Sequence, residues 1–192
     1  MSRLEELVLS FMQKAAYRPL SAEELAEELR LKGKELASFW QVLKDLETRA
    51  VIVKTRYDRY GLPEKMNLVV GRLAMTNKGF GFVVPEVHQN PDESDVFIAP
   101  DDMGTAMHND RVIARVHSRR PAQGRSREGE IIRVVERANV QMVGLFEAGR
   151  NYGFVRPDDV RLGQDVFIPK ECFGGAASGS KVVVEITNWP ER

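Results

Sequence analysis

The sequence contains a single cysteine, Cys172, among 192 residues. One cysteine cannot form an intrachain disulfide, and the zinc sites that need paired cysteines are excluded. A chain without disulfides is typical of a reducing compartment. The sequence also lacks any run approaching the ~18 uncharged apolar residues that a membrane helix requires, and its start, with Glu5 and Glu6, is unlike a targeting peptide. We therefore predict a cytoplasmic protein that has no membrane partner.

A charge excess of one sign is also missing, because 28 lysines and arginines balance 28 aspartates and glutamates. This balance excludes a uniformly basic protein, but it allows a local basic path for a polyanion. Histidines are few and lack the spacing of metal ligands, and the acidic pairs Asp101–Asp102 and Asp158–Asp159 lie in turn-like sequence. We therefore expect no catalytic residue, no metal site and no cofactor within this chain.

The first 66 residues have the pattern of three helices. Two capping boxes, Ser2 with Glu5 and Ser21 with Glu24, predict the starts of the first two helices, and Gly33 is the predicted stop of the second. The third helix places five apolar residues on one stripe that we expect to be buried: Leu36, Phe39, Trp40, Leu43 and Leu46.

Two extended segments follow the helices, at 51–53 and about 65–70, with a turn between Asp58 and Gly61. Three helices and a β-ribbon are the layout of a winged helix-turn-helix. The ribbon concentrates positive charge with interleaved tyrosines, which favours contact with nucleic acid, although winged helices also serve as protein contacts. The ribbon residues that we expect to make this contact are Lys54, Arg56, Tyr57 and Arg59.

From residue 71 the chain changes to short strands with glycine-rich turns, and it repeats itself. The series G-R-L, K-G-F-G-F-V and D-V-F-I in 71–98 recurs as G-L-F, R-N-Y-G-F-V and D-V-F-I in 144–168. The first copy continues into a fifth predicted strand at 130–135, whereas the second reaches Trp189 before an equivalent strand begins. We predict an α+β multidomain chain with a winged helix at 1–66, a β-barrel at 67–138 and an incomplete second barrel at 139–192, and we expect it to be part of a longer protein.

The aromatic strands predict a ligand-binding surface. Because a strand has a period of two, the phenylalanines of K-G-F-G-F-V and D-V-F-I lie opposite Val83, Val96 and Ile98. If those aliphatic residues fill a small barrel, the rings stand outside, where unstacked bases can lie on them. The alternative is that the rings form the core and the glycines mark bulges. The predicted binding residues are Lys78, Phe80, Phe82 and Phe97 in the first copy and Arg150, Tyr152, Phe154 and Phe167 in the second.

A basic stretch runs from Arg111 to Arg137, with eight arginines against three acidic residues. It joins the first barrel, so we interpret it as a surface that follows phosphates rather than as a solvated rim. The members that we assign to this binding surface are Arg111, Arg119 and Arg120.

The order of K-G-F-G-F-V followed by D-V-F-I resembles the cold-shock domain, a five-stranded OB barrel that binds single strands. The winged-helix pattern, R-Y-G-L-P-E-K-M at 59–66, two such units and a terminal W-P together resemble the N-terminal region of the bacterial ribonuclease R family, in the ribonuclease II superfamily. The resemblance covers essentially the whole chain. It implies a processive, metal-dependent 3'-to-5' exoribonuclease of structured RNA, with magnesium expected for the parent enzyme.

In enzymes of this family a carboxylate-rich catalytic domain and an S1 domain follow the second cold-shock unit, and neither is present in this sequence. The resemblance therefore implies an RNA-binding part that guides RNA to an absent active site and is catalytically inert alone. The alternatives are a winged-helix DNA-binding regulator with OB modules, a protein-interaction scaffold whose exposed rings dock a partner, and a self-contained nuclease.

Overall fold

The computed structural model describes residues 2–14, 17–87, 94–117 and 127–189 of the chain. The chain divides into two compact units, Met1–Val70 and Gly71–Arg192. In the described ranges no helix is both long and apolar enough to cross a bilayer.

The described part of the first unit contains three helices: α1 (Arg3–Gln13), α2 (Ala22–Glu28) and α3 (Gly33–Thr48). Both predicted capping boxes are confirmed, since each N-cap serine accepts a backbone hydrogen bond and the glutamate three residues later accepts one in return. Apolar residues from all three helices and the following segments form one core, which includes Val8, Met12, Leu25, Phe39, Leu43, Leu46, Ile52 and Leu62.

Two details of the helices differ from the prediction. Helix α2 ends at Glu28 rather than at Gly33, because Arg30 takes a left-handed conformation with φ 54°. Gly33 instead begins α3. Trp40 is 46% exposed and packs edge-on against the buried ring of Phe39. The buried stripe of α3 is therefore narrower than the apolar pattern predicts.

The β-ribbon of the first unit is shorter than predicted. Strands β1 (Val53–Lys54) and β2 (Tyr60–Gly61) pair antiparallel. The expectation that 65–70 supplies the second strand was wrong. Pro63–Met66 forms a 3₁₀ helix that ends at Asn67 in a left-handed conformation, and the next strand belongs to another sheet.

The first β-domain is a closed five-stranded barrel with strand order β3-β4-β5-β7-β6. Strand β7 pairs parallel with β5 and antiparallel with β6, which gives the Greek-key order of an OB-type barrel. The interior is aliphatic. The strands are β3 (Leu68–Met75), β4 (Gly81–Pro85), β5 (Val96–Ile98), β6 (Arg111–Val116) and β7 (Arg127–Glu136).

The second β-domain repeats β3, β4, β5 and β6 of the first, and its described residues show no counterpart of β7. Its strands are arranged β10-β9-β8-β11 around the buried residues Phe146, Val155 and Ile168. Over 139–189 the described residues form a half-barrel, in which β10 and β11 each keep an open edge. The strands are β8 (Gln141–Ala148), β9 (Tyr152–Pro157), β10 (Val166–Pro169) and β11 (Lys181–Glu185).

Equivalent glycines explain how both domains coil tightly. A Cβ atom on Gly71 would lie 2.2 Å from the carbonyl oxygen of Val84, and one on Gly144 would lie 2.2 Å from that of Arg156. Real Cβ atoms do not approach an oxygen so closely, so the first and second strands of each copy can cross here only at glycine. The repeated glycines of the sequence therefore mark the same strand crossing in both domains.

We expect Gly144→Ala to lower the free energy of unfolding by more than about 2 kcal/mol, because the added methyl group would overlap the Arg156 carbonyl oxygen. Gly174→Ala is the control, since that site is open and its positive φ costs an alanine about 1 kcal/mol. Urea denaturation of both variants measures the difference. Equal losses would show that β8 and β9 can separate without cost.

Candidate nucleic-acid interface

The first aromatic cluster consists of Phe80, Phe82 and Phe97. Phe82 on β4 pairs across the strands with Phe97 on β5, and Phe80 immediately precedes β4. The ring centroids lie 5.6 to 5.9 Å apart. All three rings are partly exposed, whereas Val83 and Val96 on the opposite face are fully buried. The rings therefore point out of the barrel, as the strand period predicts.

The second aromatic cluster consists of Tyr152, Phe154 and Phe167 and has the same geometry. Phe154 pairs across the strands with Phe167, and the ring centroids again lie 5.6 to 5.9 Å apart. The three residues are 50%, 41% and 56% exposed, which is more than in the first cluster. The alternative in which these rings form the core is wrong, because the core of this domain is built from other residues.

A glycine between two rings holds each cluster in place. Gly81 follows Phe80, and a Cβ atom there would lie 2.9 Å from the side chain of Leu73. Gly153 follows Tyr152, and its Cβ atom would lie 2.6 Å from the ring of Phe146. A large core residue thus fills the space on the inner face of the glycine, and the flanking rings can only face outward.

The predicted cations Lys78 and Arg150 lie in the turns that lead into the ring-bearing strands. The turn at Lys78 is closed by hydrogen bonds from the backbone and hydroxyl of Thr76 to the Phe80 carbonyl, at 2.9 and 2.8 Å. The turn at Arg150 is closed by the Gly149 amide, which donates to the Tyr152 carbonyl. Both side chains belong to exposed residues, and among the described residues neither forms an ion pair. A positive charge therefore adjoins each cluster.

The arginines of the basic stretch have acidic partners within the barrel. Arg111 donates two hydrogen bonds to the Glu86 carboxylate, at 2.6 and 2.8 Å. This pairing lowers the pKa of Glu86 and raises that of Arg111. Arg115 forms an ion pair with Glu130. The other two arginines that the sequence analysis assigns to this surface, Arg119 and Arg120, lie outside the described residues. Arg111 and Arg115 are thus held by acidic side chains of the same domain.

The cations of the ribbon separate into paired and exposed side chains. Arg59 contacts Glu24 at 2.9 Å, and Lys54 contacts Asp58 at 2.9 Å, which raises the pKa of the lysine. The guanidinium of Arg56 lies over the ring of Tyr57, 4.8 Å from its centroid. Tyr57 itself is 69% exposed. All four predicted contacts are exposed, but Lys54 and Arg59 are held in ion pairs, whereas Arg56 and Tyr57 contact each other at the ribbon turn.

The described residues contain no cluster of three or more histidine, cysteine, aspartate or glutamate side chains that could hold a metal ion. Asp159 caps a 3₁₀ helix and binds Arg161, which lowers its pKa to about 2. Asp158 is paired with Lys181. The described acidic residues therefore offer no site for the magnesium that the resemblance implies for the longer enzyme, and no catalytic step is assigned to them.

Two family models match the chain in the regions of the two β-domains. Residues 71–134 match the Ribonuclease B OB domain, and residues 154–192 match the Cold shock domain. The strand order and these matches define a tandem of an OB domain and a cold-shock domain.

The chain is homologous to the N-terminal region of bacterial ribonuclease R. It is 36% identical over 188 residues to ribonuclease R of Vibrio parahaemolyticus, and equally to that of Escherichia coli. Each match covers 97% of this chain and 22% of the relative, so the chain spans about a fifth of the length of these proteins. A solved structure of the yeast pseudonuclease Ssd1 shares the fold, with a TM-score of 0.52 and 17% identity over 66% of this chain and 21% of that one.

Inward and outward rings of the second β-domain should differ in their contribution to stability. We expect Phe146→Ala to lower the free energy of unfolding by about 3 to 5 kcal/mol, since this ring is buried. Phe167→Ala should cost less than about 1.5 kcal/mol, because it loses only ring contacts at the surface. Thermal and urea unfolding measure both. A larger loss for Phe167→Ala would place the cluster in the core.

Proposed function

We propose that this chain is the RNA-binding N-terminal part of a 3'-to-5' exoribonuclease of the ribonuclease R type. It binds single-stranded RNA and guides it to a catalytic domain outside this sequence. The observation that carries the proposal is the recurrence of one ring geometry on the outer face of both β-domains. Homology to ribonuclease R supports RNA as the ligand.

Stacking is the main source of affinity in this proposal. Each base that stacks on an aromatic side chain contributes about 1 to 3 kcal/mol, and stacking tolerates any sequence because every base has a π-face. The rings of each cluster contact one another mostly edge-to-face, which leaves ring faces open. The second cluster, which is more exposed and includes the hydroxyl of Tyr152, offers the larger surface.

Electrostatic attraction acts next to the stacked bases. Lys78 and Arg150 are placed to meet the phosphates that flank a stacked base, and each neutralised phosphate adds about 0.7 to the salt slope for a single strand. Arg111 is proposed to have a structural role instead, because its guanidinium already donates two hydrogen bonds to the Glu86 carboxylate.

We assign the first unit to a winged helix-turn-helix, with α3 as its third helix and the β1–β2 ribbon as a short wing. Its proposed ligand is structured RNA, contacted by Arg56 and Tyr57 at the ribbon turn. We keep the boundaries proposed from the sequence, 1–66, 67–138 and 139–192. The division of the chain after Val70 supports the first of them to within four residues.

Catalysis belongs to the rest of the proposed enzyme. A carboxylate-rich domain would hold the magnesium ions for phosphodiester hydrolysis, and an S1 domain would add RNA contacts. These domains are the proposed partners of this chain in a cytoplasmic enzyme. The 192-residue chain alone should bind RNA and leave it intact, which incubation with RNA and magnesium or manganese tests.

The double variant Phe80→Ala with Phe97→Ala should weaken binding of single-stranded RNA by ~2 to 6 kcal/mol, because two stacks are lost. Tyr152→Ala with Phe167→Ala should cost at least as much, since the second cluster is more exposed. Tyr152→Phe keeps the ring and serves as the control. Fluorescence anisotropy with a labelled oligonucleotide measures affinity, and thermal melting should stay nearly unchanged. Unaltered affinity with a large loss of stability would refute the assignment.

Removing the exposed pair of the ribbon, by Arg56→Ala with Tyr57→Ala, should weaken binding of an RNA hairpin severalfold without changing the melting temperature. Arg59→Ala removes the same charge from an ion pair within the first unit. It should therefore lower stability by up to about 1 kcal/mol and change RNA affinity less than the double variant does. Gel-shift titrations at two salt concentrations compare the variants. Equal weakening by both would mean that net charge alone, and not this pair, contacts RNA.

A further inference from the structure

A buried carboxylate lies where the two β-domains meet. Asp110 immediately precedes β6 and is fully buried. Its backbone carbonyl accepts a hydrogen bond from the amide of Leu73 on β3. Its carboxylate accepts hydrogen bonds at 2.9 Å from the amides of Met107 and Ala138 and from the guanidinium of Arg137. A buried charge that loses such partners is strongly destabilising, so the contact is held firmly.

Arg137 connects this carboxylate to the second domain. The same guanidinium donates to the backbone carbonyl and the hydroxyl of Thr105, at 2.6 and 3.0 Å. Its flat face lies 3.8 Å from the centroid of the Trp189 ring, which follows β11. Planar stacking and a bidentate fork are both properties of arginine that lysine lacks. Arg137 therefore contacts elements of both domains at once.

Apolar packing and linker contacts surround the Asp110–Arg137–Trp189 contact. Met107 of the first domain packs with Met142, Leu162 and Ile186 of the second, and Trp189 adjoins this group. The link between β7 and β8 is only four residues long, 137–140, and its residues are tied down. Asn139 donates to the His108 carbonyl, Ala138 donates to Asp110, and Val140 accepts from the Ile186 amide.

We propose that Asp110, Arg137 and Trp189 form a clamp that fixes the two aromatic clusters relative to each other, so that one RNA strand occupies both. This inference rests on the proposed RNA-binding function. When two sites are linked, the second binding event on a common strand becomes intramolecular, and the gain is lost if the geometry of the sites forbids simultaneous engagement. Asp110, Arg137 and Trp189 are positioning residues in this view, because they act through the clusters and not on the RNA.

The dependence of affinity on RNA length tests the clamp. A tetranucleotide, about the smallest site of one OB fold, occupies one cluster, whereas an oligonucleotide of about 20 nucleotides exceeds a single site. Arg137→Lys keeps the charge but loses the fork and the stack, and Trp189→Ala removes only the partner ring. Arg115→Lys is the matched control, since it makes the same change at a surface pair of the same barrel.

We expect Arg137→Lys and Trp189→Ala to weaken binding of the long RNA about tenfold or more, while tetranucleotide affinity stays within about twofold and Arg115→Lys changes neither. The proposal would be overturned if both clamp variants bind the long RNA with an affinity within about twofold of that of the unsubstituted chain. A parallel loss of tetranucleotide binding would also overturn it, because the change would then act on a cluster itself.

A second measurement separates this inference from the proposed function. The exposed Cys172 takes one spin label, and Val84→Cys on β4 of the first domain takes another. The distance distribution between the labels should be narrow in the labelled chain with Arg137 intact and broad after Arg137→Lys. If the unsubstituted chain binds neither RNA, the RNA function fails although the narrow distribution remains. If the distribution is equally narrow in both proteins, the clamp fails whatever the RNA result.

Discussion

The structure depends on a simple geometric constraint. A β-strand turns successive side chains to opposite faces, and a barrel of five short strands has room inside for only one of those faces. Here the interior of the first barrel is taken by aliphatic residues, and one interior residue of each domain, Leu73 or Phe146, packs under a glycine. The aromatic side chains of the same strands are therefore displaced to the surface, where they meet as a group of three. Ligand binding in this protein is thus a consequence of how the core is filled.

Much of this arrangement could be predicted because its determinants are local. Alternation along β4 and β5 and the recurrence of the motifs were enough to orient all six rings. The capping boxes were equally local signals, since a serine and a glutamate three residues apart satisfy each other's backbone groups. The three helices were predicted as well, but the second strand of the ribbon was placed at 65–70 rather than at Tyr60–Gly61. The sequence at 63–66 has no signal that distinguishes a 3₁₀ turn from an extended segment except its proline.

The remaining features depend on contacts between residues distant in the sequence. Helix α2 ends before the left-handed Arg30, and Gly33, its predicted stop, is also left-handed but begins α3. Arg111 and Arg137 belong to one basic stretch, yet one is held by Glu86 and the other by Asp110. Asp110 attracted no notice in the sequence, since a single aspartate before a strand is typical of a turn. Only the fold shows that it is buried and paired.

The glycine between two rings cannot be substituted, whereas the flanking aromatic residues can. Gly81 and Gly153 admit no side chain, because Leu73 and Phe146 fill the space in which a Cβ atom would sit. The flanking rings have no such restriction on their outer side. The two copies already illustrate this freedom, with phenylalanine at 80 and tyrosine at 152 on an equivalent backbone. Each domain can therefore acquire a different chemical preference by exchanging one ring for another, at little expense to its architecture.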